Sequence, residues 1–235
     1  TDQGLSERRI FAFHEYPKGV YWIGTRGGGL NRLTFPTGKW EEPYFIHYQH
    51  QSDQINSLGD DYIWSITHDE AGHLWVGTDK GVNKITLDEQ FEAGSFVRFE
   101  NKSGEPNSLS LNLIGPVHCT ADSIVWVGTA GAGLNKMDFR QDPSFTQPII
   151  TRYNSSQGLN NDNVYGILED ASGYLWLSTN RGIARFDPKF SPAAGQQEQD
   201  AFLSFYGKDG LQGDEFNTNA YTISPTTAQL LFGGQ

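Results

Sequence analysis

Tyr21-Trp22-Ile23-Gly24-Thr25 is the first of four copies of one short phrase, and this phrase decides the fold. The tryptophan recurs every 50–53 residues, in the later copies Leu74-Trp75-Val76-Gly77-Thr78, Val125-Trp126-Val127-Gly128-Thr129 and Leu175-Trp176-Leu177-Ser178-Thr179. Every copy combines strand-forming residues with a following turn. A recurrence of this length is typical of a chain built from repeated structural units.

The surrounding residues keep the same register. Each repeat opens with a leucine, and an apolar residue five positions later begins a short strand-forming run; the pairs are Leu5 and Ile10, Leu58 and Ile63, Leu109 and Ile114, Leu159 and Val164. A fifth copy begins with Leu211 and Phe216, and its Leu231-Phe232-Gly233-Gly234 takes the place of the tryptophan phrase. The pattern therefore indicates four full repeats and part of a fifth.

One repeat can be divided into four strands. In the copy that opens at Leu159, turn residues separate strand-forming runs at 163–168, 174–179, 183–186 and 202–206. Four antiparallel strands in about 50 residues are typical of one blade of a β-propeller. We predict an all-β chain in which 1–235 is one propeller segment of about four and a half blades, with blades at 1–50, 51–103, 104–153 and 154–206 and a partial blade at 207–235.

An unclosed set of blades would leave sheet edges with unpaired backbone groups. We therefore expect a segment of a larger, seven-bladed propeller, or closure by other copies of the chain, such as a homodimer, or by a separate polypeptide. Within each blade, Trp22, Trp75, Trp126 and Trp176 are predicted to be structural. The alternation of a strand places each ring on the same sheet face as the small residue two positions on, which suits close packing between blades.

Composition excludes several classes of function. The formal net charge of −11 argues against a nucleic-acid partner, because phosphate binding requires a cationic surface. The single cysteine excludes an internal disulfide and a multi-cysteine metal site. No apolar run approaches the roughly 18 residues of a membrane span, so this segment is not expected to insert into a membrane. We expect no cofactor and no metal.

The phrase Asp-x-x-Gly-x-Leu-Trp-x-Gly/Ser-Thr-x-x-Gly-Leu/Val/Ile-x-Lys/Arg, present in 69–84 and 170–185, resembles the two-component regulator propeller repeat. The repeats at Leu5 and Leu109 lack the Asp-x-x-Gly turn, which weakens any ligand role for the turn aspartates. The resemblance implies a periplasmic sensor region of a membrane-anchored signalling protein, such as a hybrid histidine kinase, in which the propeller precedes a small β-sandwich. It also implies a small ligand, because several members are thought to sense oligosaccharides.

One set of candidate ligand-binding residues stands three positions after the opening leucine of each repeat: Arg8, Asp61, Asn112, Asp162 and Asp214. Their loops are expected to surround the central funnel, where the carboxylates could bind a cation, an amine or sugar hydroxyls. The alternative is that Asp and Asn cap turns through backbone hydrogen bonds. Tyr48 and His50 are further candidates, as a stacking surface for a sugar. The recurring cations of the third strand, Arg32, Lys84, Lys136 and Arg185, are expected to be solvated or to pair with carboxylates.

Three functions remain open at this level. The leading hypothesis is a non-catalytic sensor that binds a small ligand and relays its occupancy to an output domain. The first alternative is a secreted carbohydrate-active enzyme, a glycosidase or a lyase, but no pair of catalytic carboxyls stands out apart from the funnel aspartates. The second alternative is a protein-interaction scaffold. Fold alone does not decide among them.

Overall fold

The computed structural model describes residues 4–234. These residues form four four-stranded antiparallel sheets and one two-stranded sheet, which we call blades 1 to 5 in chain order. In each full blade the strands are adjacent in chain order, so the sheet is built from successive hairpins. The predicted fold class, an all-β partial propeller, is confirmed.

The first two blades contain eight strands. Blade 1 comprises β1 (Ile10–Glu15), β2 (Tyr21–Thr25), β3 (Leu30–Thr34) and β4 (Tyr44–Tyr48). Blade 2 comprises β5 (Ile63–His68), β6 (Leu74–Thr78), β7 (Gly81–Leu87) and β8 (Ala93–Phe99).

The other blades repeat this order. Blade 3 comprises β9 (Ile114–Thr120), β10 (Ile124–Thr129), β11 (Leu134–Asp138) and β12 (Ile149–Tyr153). Blade 4 comprises β13 (Val164–Glu169), β14 (Leu175–Thr179), β15 (Gly182–Phe186) and β16 (Phe202–Phe205). Blade 5 comprises β17 (Phe216–Ile223) and β18 (Leu230–Gly234). The four strands predicted for the fourth repeat therefore agree with blade 4 to within one residue at each end.

Three short 3-10 helices complete the described elements, at Ser155–Gln157, Glu198–Ala201 and Gly207–Asp209. In the part of the chain from residue 4 to residue 234, no helix is long and apolar enough to span a membrane.

The first strand of every blade lies at the centre of the molecule. β5 lies against β1 and β9, and β13 lies against β9 and β17, so the five inner strands follow one another around a shared space that we call the hub. The side of the hub at which these strands begin is called the upper face. The hairpin between strands 2 and 3 of a blade and the linker from strand 4 to the next blade both lie at this face, because they end where the inner strands start.

The apolar core lies between blades. Trp22 packs with side chains of blade 2, Trp75 with blade 3 and Trp126 with blade 4, and all three side chains are fully buried. Trp176 occupies the same position in blade 4 but is only half-buried, because blade 5 has two strands in this structure; its ring stacks on Phe205 with centroids 5.5 Å apart.

The small residue after each tryptophan permits close approach of the next blade. A Cβ on Gly24 would lie 2.4 Å from Ile63 Cγ2, and a Cβ on Gly128 would lie 2.8 Å from Val164 Cγ1. Since each apolar partner belongs to the next inner strand, these glycines set the distance between neighbouring blades.

Two of the recurring third-strand cations are buried, so the expectation of solvated charges is wrong for them. Arg32 of blade 1 donates to the backbone carbonyls of Gln90 and Phe91, and Lys84 of blade 2 donates to that of Ser144 at 2.7 Å. The acceptors lie in the loop between strands 3 and 4 of the following blade. A buried charge must find polar partners, and here the partners are backbone carbonyls that tie one blade to the next.

Candidate functional site

The predicted funnel residues lie at the upper face, immediately before the inner strands. In four blades the side chain accepts a hydrogen bond from a backbone N–H at the end of the preceding blade; the acceptor–donor pairs are Asp61 with His50 at 2.6 Å, Asn112 with Asn101 at 2.5 Å, Asp162 with Ser155 at 2.7 Å and Asp214 with Gly207 at 2.5 Å. These four side chains thus hydrogen-bond to backbone groups, as the alternative interpretation of the sequence predicted. Ligand binding by these residues stays a prediction.

The backbone carbonyls of the same residues join neighbouring blades as well. The carbonyl of Asp61 accepts from the N–H groups of Gly27 and Gly29, and that of Asp162 accepts from Gly131 and Gly133. Gly29 and Gly133 both have φ of 78°, and a Cβ on either would lie within 2.3 Å of a fourth-strand carbonyl oxygen. Asp61 and Asp162 therefore each hold the end of one blade and its hairpin against the start of the next blade.

The remaining candidates do not form a common surface. Arg8 is exposed, and its backbone N–H donates to the Glu7 carboxylate. The ring of Tyr48 lies between blades, 6.0 Å from Trp22, and its hydroxyl accepts from the N–H of Ala93. His50 Nδ1 lies 2.7 Å from the carbonyl oxygen of Leu58, within its own linker. Tyr48 and His50 therefore serve packing and loop closure, and their prediction as a stacking surface for a sugar stays untested.

A β-bulge recurs at the start of each inner strand of blades 1 to 4. The pairing of strands 1 and 2 slips by one residue between Ile10 and Ala12, between Ile63 and Ser65 and between Val164 and Gly166, and the same slip in blade 3 falls at 115–116. The extra residue in a bulge is unpaired and its side chain is turned out of the regular alternation. The extra residues of blades 1, 2 and 4 are aromatic: Phe11, Trp64 and Tyr165.

These aromatic side chains face the hub. Phe11 and Trp64 stack, with ring centroids 4.7 Å apart and planes 10° apart. Trp64 Nε1 donates to Asp79 Oδ1 at 2.5 Å, so its ring orientation is held from the hairpin between β6 and β7. Burial raises the pKa of the Tyr165 hydroxyl, and the neighbouring Glu215 carboxylate raises it further.

Two cavities adjoin Trp64. The first, of about 220 Å³, is lined by residues of β1, β5 and β17: Phe11, Ala12, Phe13, Trp64, Ser65, Ile66, Asn219 and Tyr221. The second, of about 150 Å³, lies among β5, β9, β13 and β17 and is lined by Trp64, Leu113, Ile114, Gly115, Ala130, Val164, Tyr165 and Thr218. None of these described lining residues carries a charge. The two cavities are therefore suited to a neutral molecule with apolar faces.

The inner strand of blade 5 connects the two sides of the hub. Asn219 Nδ2 donates to the backbone carbonyl of Trp64 at 2.7 Å and to that of Phe11 at 3.2 Å. Its backbone φ of 61° lies in the left-handed region, where asparagine is among the better tolerated residues. One side chain of blade 5 thus bonds the bulges of blades 1 and 2.

At the opposite end of the hub, titratable side chains meet across blade boundaries. His14 Nε2 of blade 1 lies 2.7 Å from His68 Nδ1 of blade 2, and the ring of Tyr16 stacks on His68 at 4.0 Å. Between blades 3 and 4, His118 Nε2 lies 3.2 Å from Glu169 Oε2. Over residues 4–234, no group of three or more His, Cys, Asp or Glu side chains is arranged to hold a metal ion.

The hub aromatics were missed from the sequence although a signal exists. Phe11, Trp64 and Tyr165 each follow the first apolar residue of their inner strand, so an aromatic residue recurs in register. Regular alternation would place these residues on the face opposite to their predecessors and inside the blade stack. The bulge turns these side chains towards the hub. The recurring aromatic residue is visible in the sequence, but the bulge is not.

Comparison with known proteins agrees with this architecture. Residues 57–80 and 158–181 match the two-component regulator propeller family. Histidine kinase P4 of Formosa agariphila is 30% identical over 236 aligned residues, which cover 97% of this chain and 15% of that protein. The chain therefore spans a small part of the curated relative that it matches.

Among solved structures, one described as the extracellular domain of the hybrid two component system BT4673 from B. thetaiotaomicron aligns with a TM-score of 0.70 and 20% identity, over 96% of this chain and 28% of the other. Virginiamycin B lyase from Staphylococcus aureus aligns with a TM-score of 0.63 and 12% identity, over 98% of this chain and 65% of the other. At these identities the likeness concerns the fold. The chain contains two repeats that match the two-component regulator propeller family, and these repeats form parts of blades 2 and 4 of a β-propeller.

Proposed function

We propose that this chain is a non-catalytic, periplasmic sensor segment of a membrane-anchored two-component signalling protein, and that it binds a small neutral ligand such as an oligosaccharide. The match to the propeller repeats and the alignment with a histidine kinase over 97% of the chain support a place in such a protein. Further blades, a following β-sandwich and an output domain belong to the same proposal.

The observation that carries the ligand proposal is the uncharged, aromatic lining of the two cavities beside Trp64. Ligand sites are usually concave and mostly apolar, with a few polar groups that fix orientation. The two cavities beside Trp64 have this composition. Glycoside hydrolysis needs two carboxyls flanking one bond, and among the described residues neither cavity is lined by any carboxyl.

The arrangement of the blades offers a route for the relay of occupancy. Trp64 lines both cavities, and its backbone carbonyl is bonded by Asn219 of blade 5. Both cavities are also lined by residues of blade 5, so a ligand held against Trp64 would favour one position of blade 5 over another. Occupancy is relayed in this way only if the ligand has different affinities for the two positions of blade 5.

Thermal unfolding of the purified chain in the presence of neutral oligosaccharides tests the proposal. A ligand at 100 times its Kd stabilises the folded state by about 2.7 kcal/mol. For a chain of this size, about 1 kcal/mol shifts Tm by about 2–4 °C, so we expect an increase of roughly 5–10 °C. An uncharged polyol at the same concentration is the control for non-specific stabilisation.

Two results would contradict the proposal. The first is the absence of any shift across the panel, together with a gene that encodes no membrane span and no output domain. The second is turnover of an oligosaccharide that disappears in Asp61→Asn or Asp162→Asn, which would favour the carbohydrate-active enzyme.

A further inference from the structure

The smaller hub cavity has features of a binding subsite that the repeat pattern does not explain. Its volume of about 150 Å³ is below the roughly 300–1,000 Å³ of pockets that enclose a whole drug-sized ligand. It can therefore take one ring of a longer molecule whose remainder lies outside. Leu113 and Thr218 on its lining are exposed, so the cavity is open to solvent.

The wall of this cavity combines flat apolar surfaces with few polar atoms. Trp64 and Tyr165 contribute aromatic rings, and Ile114 and Val164 contribute buried aliphatic groups at the base. Gly115 occupies the bulge region of blade 3, where the other blades have an aromatic residue, so the absence of a side chain there leaves the space open. A Cβ on Gly115 would lie 2.9 Å from the carbonyl oxygen of Val164.

The orientation of the Trp64 ring is fixed before any ligand arrives. Phe11 stacks on Trp64 at 4.7 Å, and Asp79 accepts the indole N–H. A rigid aromatic platform loses little conformational entropy on binding, which favours affinity. The polar atoms available nearby are hydroxyl groups, of Tyr165 and Thr218, and both can donate and accept hydrogen bonds.

From these features we infer that the cavity between Trp64 and Tyr165 is a subsite for a single pyranose ring of a neutral sugar, stacked by its C–H face on the Trp64 indole. This inference rests on the proposed function, which it deepens by naming the subsite and the ligand class. A pyranose ring has an apolar C–H face and hydroxyl groups at its edge, which matches an aromatic wall with hydroxyls beside it. An anionic sugar would find no cation among the lining residues described.

The test measures binding of neutral disaccharides to the chain by titration calorimetry and by tryptophan fluorescence. Cellobiose, maltose, xylobiose and N,N′-diacetylchitobiose serve as probes, and indole serves as a neutral aromatic probe without hydroxyls. The variants are Trp64→Ala, Trp64→Phe and Tyr165→Ala. Trp40→Ala is the matched control, because Trp40 is 70% exposed on blade 1, outside both cavities.

For the disaccharide that binds wild type most tightly, we expect Kd to rise at least tenfold in Trp64→Ala and in Tyr165→Ala. Trp64→Phe keeps a ring at the platform and should stay within about threefold of wild type, and Trp40→Ala should be unchanged. Circular dichroism and the Tm of every variant show whether it folds. If Trp64→Ala does not fold, Tyr165→Ala still tests loss of a ring, and Trp64→Phe still tests the conservative change at the platform.

The outcomes separate the subsite from the function. If a disaccharide binds wild type and both ring deletions leave its Kd unchanged, the subsite is wrong while the sensor proposal stands. If indole binds and no sugar does, the sugar class is overturned. If no probe binds wild type at millimolar concentration, both the subsite and the oligosaccharide proposal are overturned.

Discussion

At the residue scale, the glycine two residues after the core tryptophan sets the spacing between blades, because it has no side chain. Blades 1 to 3 have glycine there, and a Cβ on Gly77 would lie 2.5 Å from Ser65 Oγ and 2.9 Å from Ile114 Cγ2. Blade 4 has Ser178 instead, whose hydroxyl is buried and has no hydrogen-bond partner in the described structure. The position two residues after the tryptophan is therefore packed without a side chain in blades 1 to 3 and with a buried hydroxyl in blade 4.

We expect Gly77→Ala to destabilise the chain by about 1–3 kcal/mol, because the added methyl group overpacks the boundary between blades 2 and 3. Ser178→Ala is the matched control at the same position of blade 4. It should be neutral or slightly stabilising, because it removes a buried hydroxyl without a partner. Urea unfolding of both variants checks the pair, and equal destabilisation would contradict the account.

The aspartate of the repeat motif also has a local physical reason. Asp69 and Asp170 each accept a hydrogen bond from the indole N–H of the tryptophan six residues later, both at 2.8 Å. In blade 1, where the motif is absent, the Trp22 indole donates to the carbonyl of Tyr16 instead. The motif therefore orients the core tryptophan, which agrees with the view that the turn aspartates need no ligand role.

At the element scale, the linkers between blades are ordered by a repeated Asn-Ser-Leu phrase. Asn56 accepts from the backbone N–H of Phe96, and Asn107 accepts from that of Ile150, each on the fourth strand of the blade that follows. Arg98 and Arg152 on these fourth strands bond the linker serines and their carbonyls. The linkers thus form part of the blade that follows them.

The inner strands of blades 1 and 2 carry a pH-dependent contact, the pair His14 and His68. Burial, together with the neighbouring His68, lowers the pKa of His14 to about 4. Burial also lowers the pKa of His68, although Asp69 opposes this. Both histidines bind protons more readily in the unfolded chain, where the pKa is about 6.5. Stability is therefore expected to decrease as pH falls from about 6.5 towards 4.

We expect the free energy of unfolding to fall by about 2 kcal/mol between pH 7 and pH 4.5 through this pair, a value reduced for the part of the site that solvent reaches. His14→Gln retains a hydrogen-bonding group but removes the titration. Its stability should change less with pH than that of wild type, as measured by urea unfolding at each pH. The same pH dependence in both proteins would show that the pair does not contribute.

At the scale of the whole molecule, the two outer blades expose surface that is buried elsewhere. Phe13 on β1 is 62% exposed, whereas Ile167, at the same register position of blade 4, is 1% exposed. Phe13, Tyr21, Phe35 and Trp40 form a connected aromatic cluster on this side of blade 1. This face corresponds to the one that receives the tryptophan of a preceding blade in blades 2 to 4, and we propose that another blade covers it.

We expect Phe13→Ser to change the stability of the isolated chain by less than about 0.5 kcal/mol, because the side chain is mostly in water. Ile167→Ser, at the equivalent buried position, should cost about 3 kcal/mol or more. In a longer protein with additional blades, Phe13→Ser should become as destabilising as Ile167→Ser. Thermal unfolding of the short and long proteins makes the comparison, and a large loss from Phe13→Ser in the short chain would contradict it.

The sequence predicted most of this architecture because a repeat supplies the same evidence several times. The period located the strands of blade 4 to within one residue, and the tryptophan phrase identified the second strand of each blade. The candidate site was predicted less well. Asp61 and Asp162 are in the expected loops, but their side chains bond the backbone, and the hub is lined by Trp64 and Tyr165, three residues further on. The reason is a one-residue bulge, which depends on backbone pairing and has no separate mark in the sequence.

The recurrent bulge separates specificity from stability. The backbone directs residues 11, 64 and 165 out of the regular strand alternation, and the same slip in blade 3 falls at 115–116. Substitutions at these positions therefore change the lining of the hub and leave unchanged the tryptophan and glycine contacts that pack the blades together. If the proposed ligand site lies in the hub, exchange of a few neighbouring side chains there would change which molecule is bound, while the strands that build the blades are kept.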